Sequence, residues 1–314
     1  MDRISMLSLK FSHPKWFLKK MLKVMGEKEL IELMKANNRP KNIWVRVNRL
    51  KIDIDSALEM LEKDGVTLLS DKDFPYVFKV LDSKVPLPLT RAVREGYVII
   101  QDKASVACVE AMGLKEGDIV WDVCAAPAMK ACLMSDIMRN TGKIYATDYS
   151  MKRLLKAHEN MRIYDAKNIE LIAADVRRFK LCTDVDKIMI DAPCTSTGVF
   201  RSEPDYKWRM NLKKMGILKN IQRNIIRNVV ENVGKDVVVV YSTCSLLPDE
   251  GEEQIAWLIN KYGDRIELLR AGIPGHPGYS PYEGLGISDK VVRLFPHLDD
   301  TKGFFIAKFL LKGV

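Results

Sequence analysis

From about residue 101 onward the chain alternates short apolar runs with stretches of helical length, and this alternation constrains the fold more than any other feature. Ile119-Val120-Trp121, Lys143-Ile144-Tyr145-Ala146-Thr147, Ile169-Glu170-Leu171-Ile172, Ile188-Met189-Ile190 and Val237–Tyr241 read as strands. Helical patterns near 129–139, 150–163, 213–232 and 250–261 fall between and after them, and Phe304–Phe309 reads as an end strand. Strands alternating with helices are the signature of a parallel sheet covered on both faces. The expected fold class is α/β, a doubly wound, mostly parallel, Rossmann-like sheet. Ligands of such sheets bind outside the strand carboxyl ends, so the residues that close each strand are the candidates for function. The Gly- and Pro-rich stretch from Gly272 to Gly286 reads as a loop.

The first hundred residues have a different texture. Trp16, Leu18, Met21 and Leu22, then Leu30, Ile31, Leu33 and Met34, recur at helical spacing, and Asn37-Asn38-Arg39-Pro40 ends the pattern. Trp44-Val45-Arg46-Val47 reads as a strand, Ser56 to Leu61 as a helix capped by Asp53 or Asp55, and Val77–Leu81 and Val98–Ile100 as short strands. The expected organisation is a small N-terminal α+β module over residues 1–100, followed by the large α/β domain over 101–314.

Two cysteines close strand-like runs. Cys194 lies in Asp191-Ala192-Pro193-Cys194-Thr195, and Cys244 in Tyr241-Ser242-Thr243-Cys244-Ser245. A lone cysteine is usually a buried, inert residue, and Cys108, Cys132 and Cys182 are read that way. A thiol at a strand end, beside polar groups and a helix start, can instead have a lowered pKa and act as a nucleophile. The six cysteines form no CxxC pair, so neither a disulfide framework nor a metal site is expected. Free thiols suit a reducing cytoplasm.

The first strand of the large domain runs into Cys124-Ala125-Ala126-Pro127-Ala128-Met129-Lys130, where small residues let a cofactor approach the backbone. The phosphate-binding glycines of a dinucleotide fingerprint are absent, and a plain tight turn is the alternative. Asp148, Asp175 and Asp191 end successive strands. Acids there accept hydrogen bonds from ribose hydroxyls, although each alone also fits a helix cap. Together they suit a neutral or cationic cofactor such as S-adenosylmethionine. A thiolate beside a methyl donor points to carbon 5 of a pyrimidine, which becomes nucleophilic only after a thiolate adds at carbon 6. A protonated Asp191 near ring nitrogen 3 would stabilise the adduct.

The net charge is +9 and the isoelectric point about 9.1. That balance fits a polyanionic partner, and it also fits a solvated lysine-rich surface. Three groups of cations stand out: Lys15, Lys19, Lys20 and Lys23; Arg39, Lys41, Arg46, Arg49 and Lys51; and Arg201, Lys207, Arg209, Lys213 and Lys214. Such groups grip phosphates without reading sequence. Trp44, Tyr206 and Trp208 are candidates for stacking unpaired bases, with partly packed core as the plainer reading. No apolar run approaches the roughly 20 residues of a membrane-spanning helix, and the N-terminus has no secretory pattern. The expected partner is RNA rather than a membrane.

These motifs resemble the RNA cytosine-5 methyltransferases of the Nop2/Sun (RsmB) group, over nearly the whole chain. Gln101-Asp102-Lys103-Ala104-Ser105 resembles the element before the first strand. Cys124-Ala125-Ala126-Pro127 with Lys130 resembles the cofactor loop. Asp148 with Arg153, then Asp175, resemble the ribose and adenine contacts. Asp191-Ala192-Pro193-Cys194 and Thr243-Cys244-Ser245 resemble the paired cysteine motifs, and Pro296-His297 with Gly303-Phe304-Phe305 the closing segment. The resemblance implies a methyltransferase sheet with an RRM-like N-terminal module and S-adenosylmethionine as cofactor. It implies an rRNA or tRNA cytosine as substrate, Cys244 as the nucleophile and Cys194 as the residue assisting product release. The Ser12–Lys19 and Trp44–Asn48 segments are similar to the ribosomal-RNA branch, here expected as a monomer without that branch's NusB-like domain or a PUA-like appendage. One departure stands out. The family usually has Gly-Gly-Lys-Thr where this chain has Ala128-Met129-Lys130-Ala131. An alanine suits the position if its φ is negative. The alternative is an RNA-binding factor with a methyltransferase fold and cofactor binding impaired by Ala128-Met129.

Overall fold

The structure, a computed structural model, describes residues 2–313. It divides into two compact units: Asn42–Phe179 with Val185–Met189, and the residues up to Lys41 with Lys180–Asp184 and those from Ile190 onward.

In the first unit, β1 (Ile43–Val47), β2 (Val66–Ser70), β3 (Val77–Ser83) and β4 (Val98–Ile100) form an antiparallel sheet in the order β2-β3-β1-β4. Of the two candidate caps, Asp53 starts the helix Ile54–Lys63 by accepting from the Ser56 N–H at 2.9 Å. Ala57 and Leu61 of that helix share a buried cluster with Val45, Val47, Val66, Phe78 and Val98. The sequence pattern misses β2, because most of its residues are exposed and its apolar residues do not alternate.

The same unit carries β5 (Ile119–Asp122), β6 (Lys143–Asp148), β7 (Ile169–Ala173) and most of β8 (Lys187–Asp191), paired in parallel in the order β8-β5-β6-β7. Val120, Trp121, Ile144, Ala146, Ile188 and Met189 are all buried, as expected of parallel strands covered on both faces. The helices Met129–Ile137 and Met151–Tyr164 follow β5 and β6, the second capped by Ser150. The expected α/β class with a parallel sheet, and the smaller antiparallel module, are both present.

The second unit begins with the helices Arg3–Phe11, Lys15–Met21 and Glu27–Asn37. The first is not foreseen from sequence; Asp2 caps it by accepting from the Ser5 N–H at 2.9 Å. Phe17, Leu18, Met21, Leu30 and Leu33 share a hydrophobic cluster with Phe200, Leu246, Tyr279 and Phe295. By packing, then, the leading helices group with the C-terminal segment, whereas the sequence reading grouped them with residues 42–100. The long helix Leu212–Asn232 precedes β9 (Val237–Thr243), and β10 (Ile266–Leu269), β11 (Val292–Leu294) and β12 (Phe304–Leu311) follow. β12 runs antiparallel to β9, β10 and β11. The Gly272–Gly286 loop contains one 3-10 segment, Ser280–Leu285.

Candidate functional site

The expected cofactor loop leaves β5 and enters the helix Met129–Ile137. It is tied to neighbouring strands by Val123 N–H to Met189 O and Ala125 N–H to Thr147 O, both 2.9 Å. Thr147 donates its hydroxyl to Val123 O at 2.8 Å and accepts from the Trp121 indole at 3.1 Å. Asn160 donates to Pro127 O at 2.9 Å, and the Arg153 guanidinium donates to Ala126 O. Ala128 is the helix N-cap with φ 67° and ψ 22°, and no side chain caps the helix. The negative φ that would make an alanine easily tolerated here is not what the turn adopts. The turn needs a left-handed residue, and the chain adopts that conformation without a glycine. Met129 is half-buried, its sulfur 3.6 Å from Asn160 Nδ2. Cys124 and Lys130 are half-buried.

Asp148 closes β6 and is buried. It pairs with Arg153 at 3.0 Å and accepts from the Ser150 N–H at 2.9 Å. Asp175 lies just past β7, where Arg177 grips its carboxylate at 2.8 and 2.6 Å and holds the carboxyl below the usual range.

In the other unit, the segment from Ile190 that ends β8 and the end of β9 bring the two cysteine motifs together. The Sγ atoms of Cys194 and Cys244 are 3.1 Å apart, and Cys244 Sγ lies 3.5 Å from Ser196 Oγ. The hydrogen bond to Cys244 first, then burial, then neighbouring charge including Glu250, push the Cys194 thiol well above its ordinary value. Asp191 accepts from Ser242 Oγ at 3.0 Å, and Ala192 N–H donates to Ser242 O at 3.0 Å. The loop after Cys194 closes with Gly198 N–H on Cys244 O at 2.9 Å and Gly303 N–H on Gly198 O at 2.8 Å. A Cβ on Gly198 would sit 2.0 Å from Gly303 O, so only glycine admits this contact. Behind Cys244, Arg293 and Glu252 form a fully buried ion pair, Nε to Oε1 at 2.7 Å.

Among the cations expected on RNA, Arg46 is a correction. It is fully buried, donating to Gln101 Oε1 at 2.7 Å and Asp136 Oδ2 at 3.1 Å, because β1 turns it into the interior. Lys207 is buried too, on Asn38 Oδ1 at 2.6 Å, and Lys20 pairs with Asp249 at 2.6 Å. Trp44 is buried and Tyr206 packs against the core, while Trp208 is 64% exposed. Sequence reasoning missed Glu250, Thr195 and Gln222. Glu250 sits in the acidic run Asp249-Glu250-Gly251-Glu252-Glu253, which reads as a solvated helix start, yet Glu250 is wholly buried.

Parallel strands closed by acids, a tight small-residue turn into a helix and, in the other unit, a pair of facing thiols are the features of a Rossmann-like methyltransferase. Residues 109–310 match the sequence model of the family described as 16S rRNA methyltransferase RsmB/F, and residues 13–87 match its ferredoxin-like domain. The chain belongs to the RsmB/F methyltransferase family. It is 28% identical over 305 residues to the ribosomal RNA small subunit methyltransferase B of Escherichia fergusonii, covering 96% of this chain and 67% of that one. With the Klebsiella pneumoniae protein of the same name the identity is 29%, covering 96% and 66%. The chain thus spans about two thirds of these relatives' length. A methyltransferase homolog from Pyrococcus horikoshii superposes with TM-score 0.87 at 27% identity over 99% of both chains. NSun6 from Pyrococcus horikoshii, solved with the S-adenosylmethionine analogue SFG, gives 0.82 at 25% identity, covering 92% and 96%.

The residues fit S-adenosylmethionine. The buried Asp148 carboxylate suits ribose hydroxyls, and a helix start with no side-chain cap suits the methionyl carboxylate.

Proposed function

We propose that this protein is an S-adenosylmethionine-dependent RNA methyltransferase acting on carbon 5 of a cytosine in rRNA or tRNA. The observation that carries the reading is the 3.1 Å approach of Cys194 and Cys244 at the ends of neighbouring motifs. S-adenosylmethionine supplies the electrophilic methyl group. The Cys244 thiolate adds to carbon 6 of the ring, and the electron pair of the 5,6 double bond makes carbon 5 the nucleophile. Asp191, oriented by Ser242, is the group assigned to ring nitrogen 3. After carbon 5 is methylated, a base removes its proton, the electrons re-form the double bond, and the bond from carbon 6 to Cys244 breaks. Cys194 assists that release. Cys124, Ala125, Ala126, Pro127, Ala128, Met129 and Lys130, with Asp148, Arg153, Asp175 and Asp191, are the residues we assign to the cofactor.

A cytosine must leave any stack to meet a thiol, so the expected target is unpaired. We assign residues 1–100 to RNA holding and 101–314 to methyl transfer, a division supported by the extents of the two family matches. Among the described residues no helix is long and apolar enough to cross a membrane. Free thiols needed for catalysis favour a reducing cytoplasm, where we propose the protein acts as a monomer.

The test is methylation of a small-subunit rRNA transcript with isotope-labelled S-adenosylmethionine, followed by nucleoside mass spectrometry. Labelled 5-methylcytidine is expected, and label on ribose or another base atom overturns the reading. The second reading, an RNA-binding factor with weak cofactor binding, rests on Ala128 in its left-handed conformation. No calorimetric binding at millimolar S-adenosylmethionine would favour it.

A further inference from the structure

We propose that Glu250 is a positioning residue for methyl transfer: it holds the Cys194 loop against the Cys244 segment and so sets the separation of the two thiols. The inference rests on the assignment of Cys244 as nucleophile and Cys194 as release group.

Glu250 is wholly buried and bonds to both cysteine segments. Its Oε1 accepts from the Thr195 N–H at 2.9 Å and from Gln222 Nε2 at 3.0 Å. Its Oε2 accepts from the Thr195 hydroxyl. Gln222 also donates to Pro193 O at 2.9 Å, so residues on both sides of Cys194 are gripped. Gln254 Nε2 donates to Gln222 Oε1 at 2.9 Å, which fixes which way the Gln222 amide points. The backbone carbonyl of Glu250 meanwhile accepts from the Tyr241 hydroxyl at 3.0 Å and the Thr243 hydroxyl at 3.2 Å, anchoring the strand that delivers Cys244. Main-chain N–H and amide NH₂ groups can only donate, so Oε1 must remain an acceptor. A glutamine at 250 keeps the shape but removes the charge, and with its oxygen at the Oε1 position its NH₂ group meets the Thr195 hydroxyl only if that hydroxyl reverses from donor to acceptor.

The carboxylate also acts through charge. Burial pushes the Glu250 carboxyl up, while bonds from Ser245, Thr195 and Gln222 oppose that shift. Its charge adds to the effects that hold Cys194 as a thiol. Removing the charge therefore moves any step governed by Cys194 ionisation to lower pH.

The experiment uses the full chain with S-adenosylmethionine and a small-subunit rRNA transcript, comparing wild type, Glu250→Gln, Thr195→Val, Cys194→Ala and the double variant Glu250→Gln/Cys194→Ala. Readouts are turnover, the fraction of RNA in an SDS-resistant protein adduct, and the pH dependence of adduct decay. Glu250→Gln is expected to lower turnover about tenfold, the scale of one lost charged hydrogen bond. Adduct should accumulate, and its decay should shift to lower pH. Thr195→Val, which removes one donor without touching a charge, should accumulate adduct with no such shift, and it serves if Glu250→Gln does not fold. The double variant should be no slower than Cys194→Ala alone. Unchanged turnover, a loss of turnover without adduct in both single variants, or full additivity in the double variant overturns the proposal. Absence of adduct in Cys194→Ala instead overturns the release assignment beneath it.

Discussion

The Cys194 and Cys244 thiols face one another at 3.1 Å, one following β8 and the other following β9. Fifty residues separate them in sequence; main-chain hydrogen bonds from Ala192 N–H to Ser242 O and from Gly198 N–H to Cys244 O hold the two segments side by side. Hydrogen bonding to Cys244, burial and nearby charge including Glu250 push the Cys194 thiol well above its ordinary value.

Cys244→Ala is expected to lower methyl transfer at least about 10³-fold, since removing a covalent nucleophile removes the step that activates carbon 5. Cys194→Ala should allow a first methyl transfer and then stall as an SDS-resistant RNA adduct on Cys244. Labelled methyl incorporation and denaturing gels check both. Full activity in Cys244→Ala would falsify the nucleophile assignment.

Ala128 holds a φ of 67° in the loop between β5 and the helix Met129–Ile137. An L-residue in the left-handed region costs about 1–2 kcal/mol, and glycine avoids that cost while losing more chain entropy on folding. Ala128→Gly is expected to stabilise the protein by about 0.5–1 kcal/mol. Affinity for S-adenosylmethionine should rise or stay level, because a Cβ is removed from the turn. Thermal unfolding and calorimetry measure the two effects; a destabilised variant would mean the loop is not strained at this position.

Arg293 and Glu252 pair with neither side chain exposed to solvent, and Arg293 lies 4.0 Å from the Tyr279 ring. Removing one member of a buried pair leaves the other charge stranded, at about 3–5 kcal/mol. Glu252→Gln and Arg293→Met should each destabilise on that scale in urea unfolding. Replacing both together should cost less than the sum of the single changes.

His13 is buried, and burial first, then the Lys207 charge, pull its pKa from 6.5 down to about 4. Its Nδ1 lies 2.6 Å from Phe11 O and its Nε2 3.2 Å from Asn37 Nδ2, an arrangement that suits the neutral ring with Nδ1 as donor. The unfolded chain takes up a proton near pH 6.5 while the folded chain does not until about 4. The stability contribution of the neutral ring is thus complete above pH 6.5 and lost as pH falls towards 4, by up to about 3 kcal/mol. His13→Leu should flatten the pH dependence of urea unfolding between pH 7 and 4. An unchanged slope would place the titration elsewhere.

Trp208 stands 64% exposed on the segment after the Pro-Cys motif, beside exposed Arg209, Lys213 and Lys214. A base stacked on an aromatic ring contributes about 1–3 kcal/mol. Trp208→Ala is expected to weaken binding of a single-stranded rRNA fragment on that scale, with S-adenosylmethionine affinity unchanged. Filter binding and calorimetry check the pair of outcomes.

What could be read from the sequence follows from local chemistry and periodicity. Buried parallel strands such as β5, β6 and β8 are short apolar runs, and the helix start near Asp53 and Asp55 is visible locally, although only the structure chooses Asp53. The cysteine motifs, Asp148 and the small-residue loop after β5 are likewise visible as the residues closing those strands. Other features depend on partners far apart in the chain. Arg46 reads as a surface cation until Asp136 and Gln101 enclose it. Glu250 reads as a solvated helix start until Thr195 and Gln222 converge on it. The backbone at Ala128 needed the surrounding strand ends to impose a conformation that its residue type disfavours. The sequence by itself determined the strand–helix order and which chemical groups end the strands, because burial and capping leave short-range patterns. Only the tertiary structure decided which charges lie inside and which thiols meet, because burying a charge is tolerable only where distant donors and acceptors are brought around it.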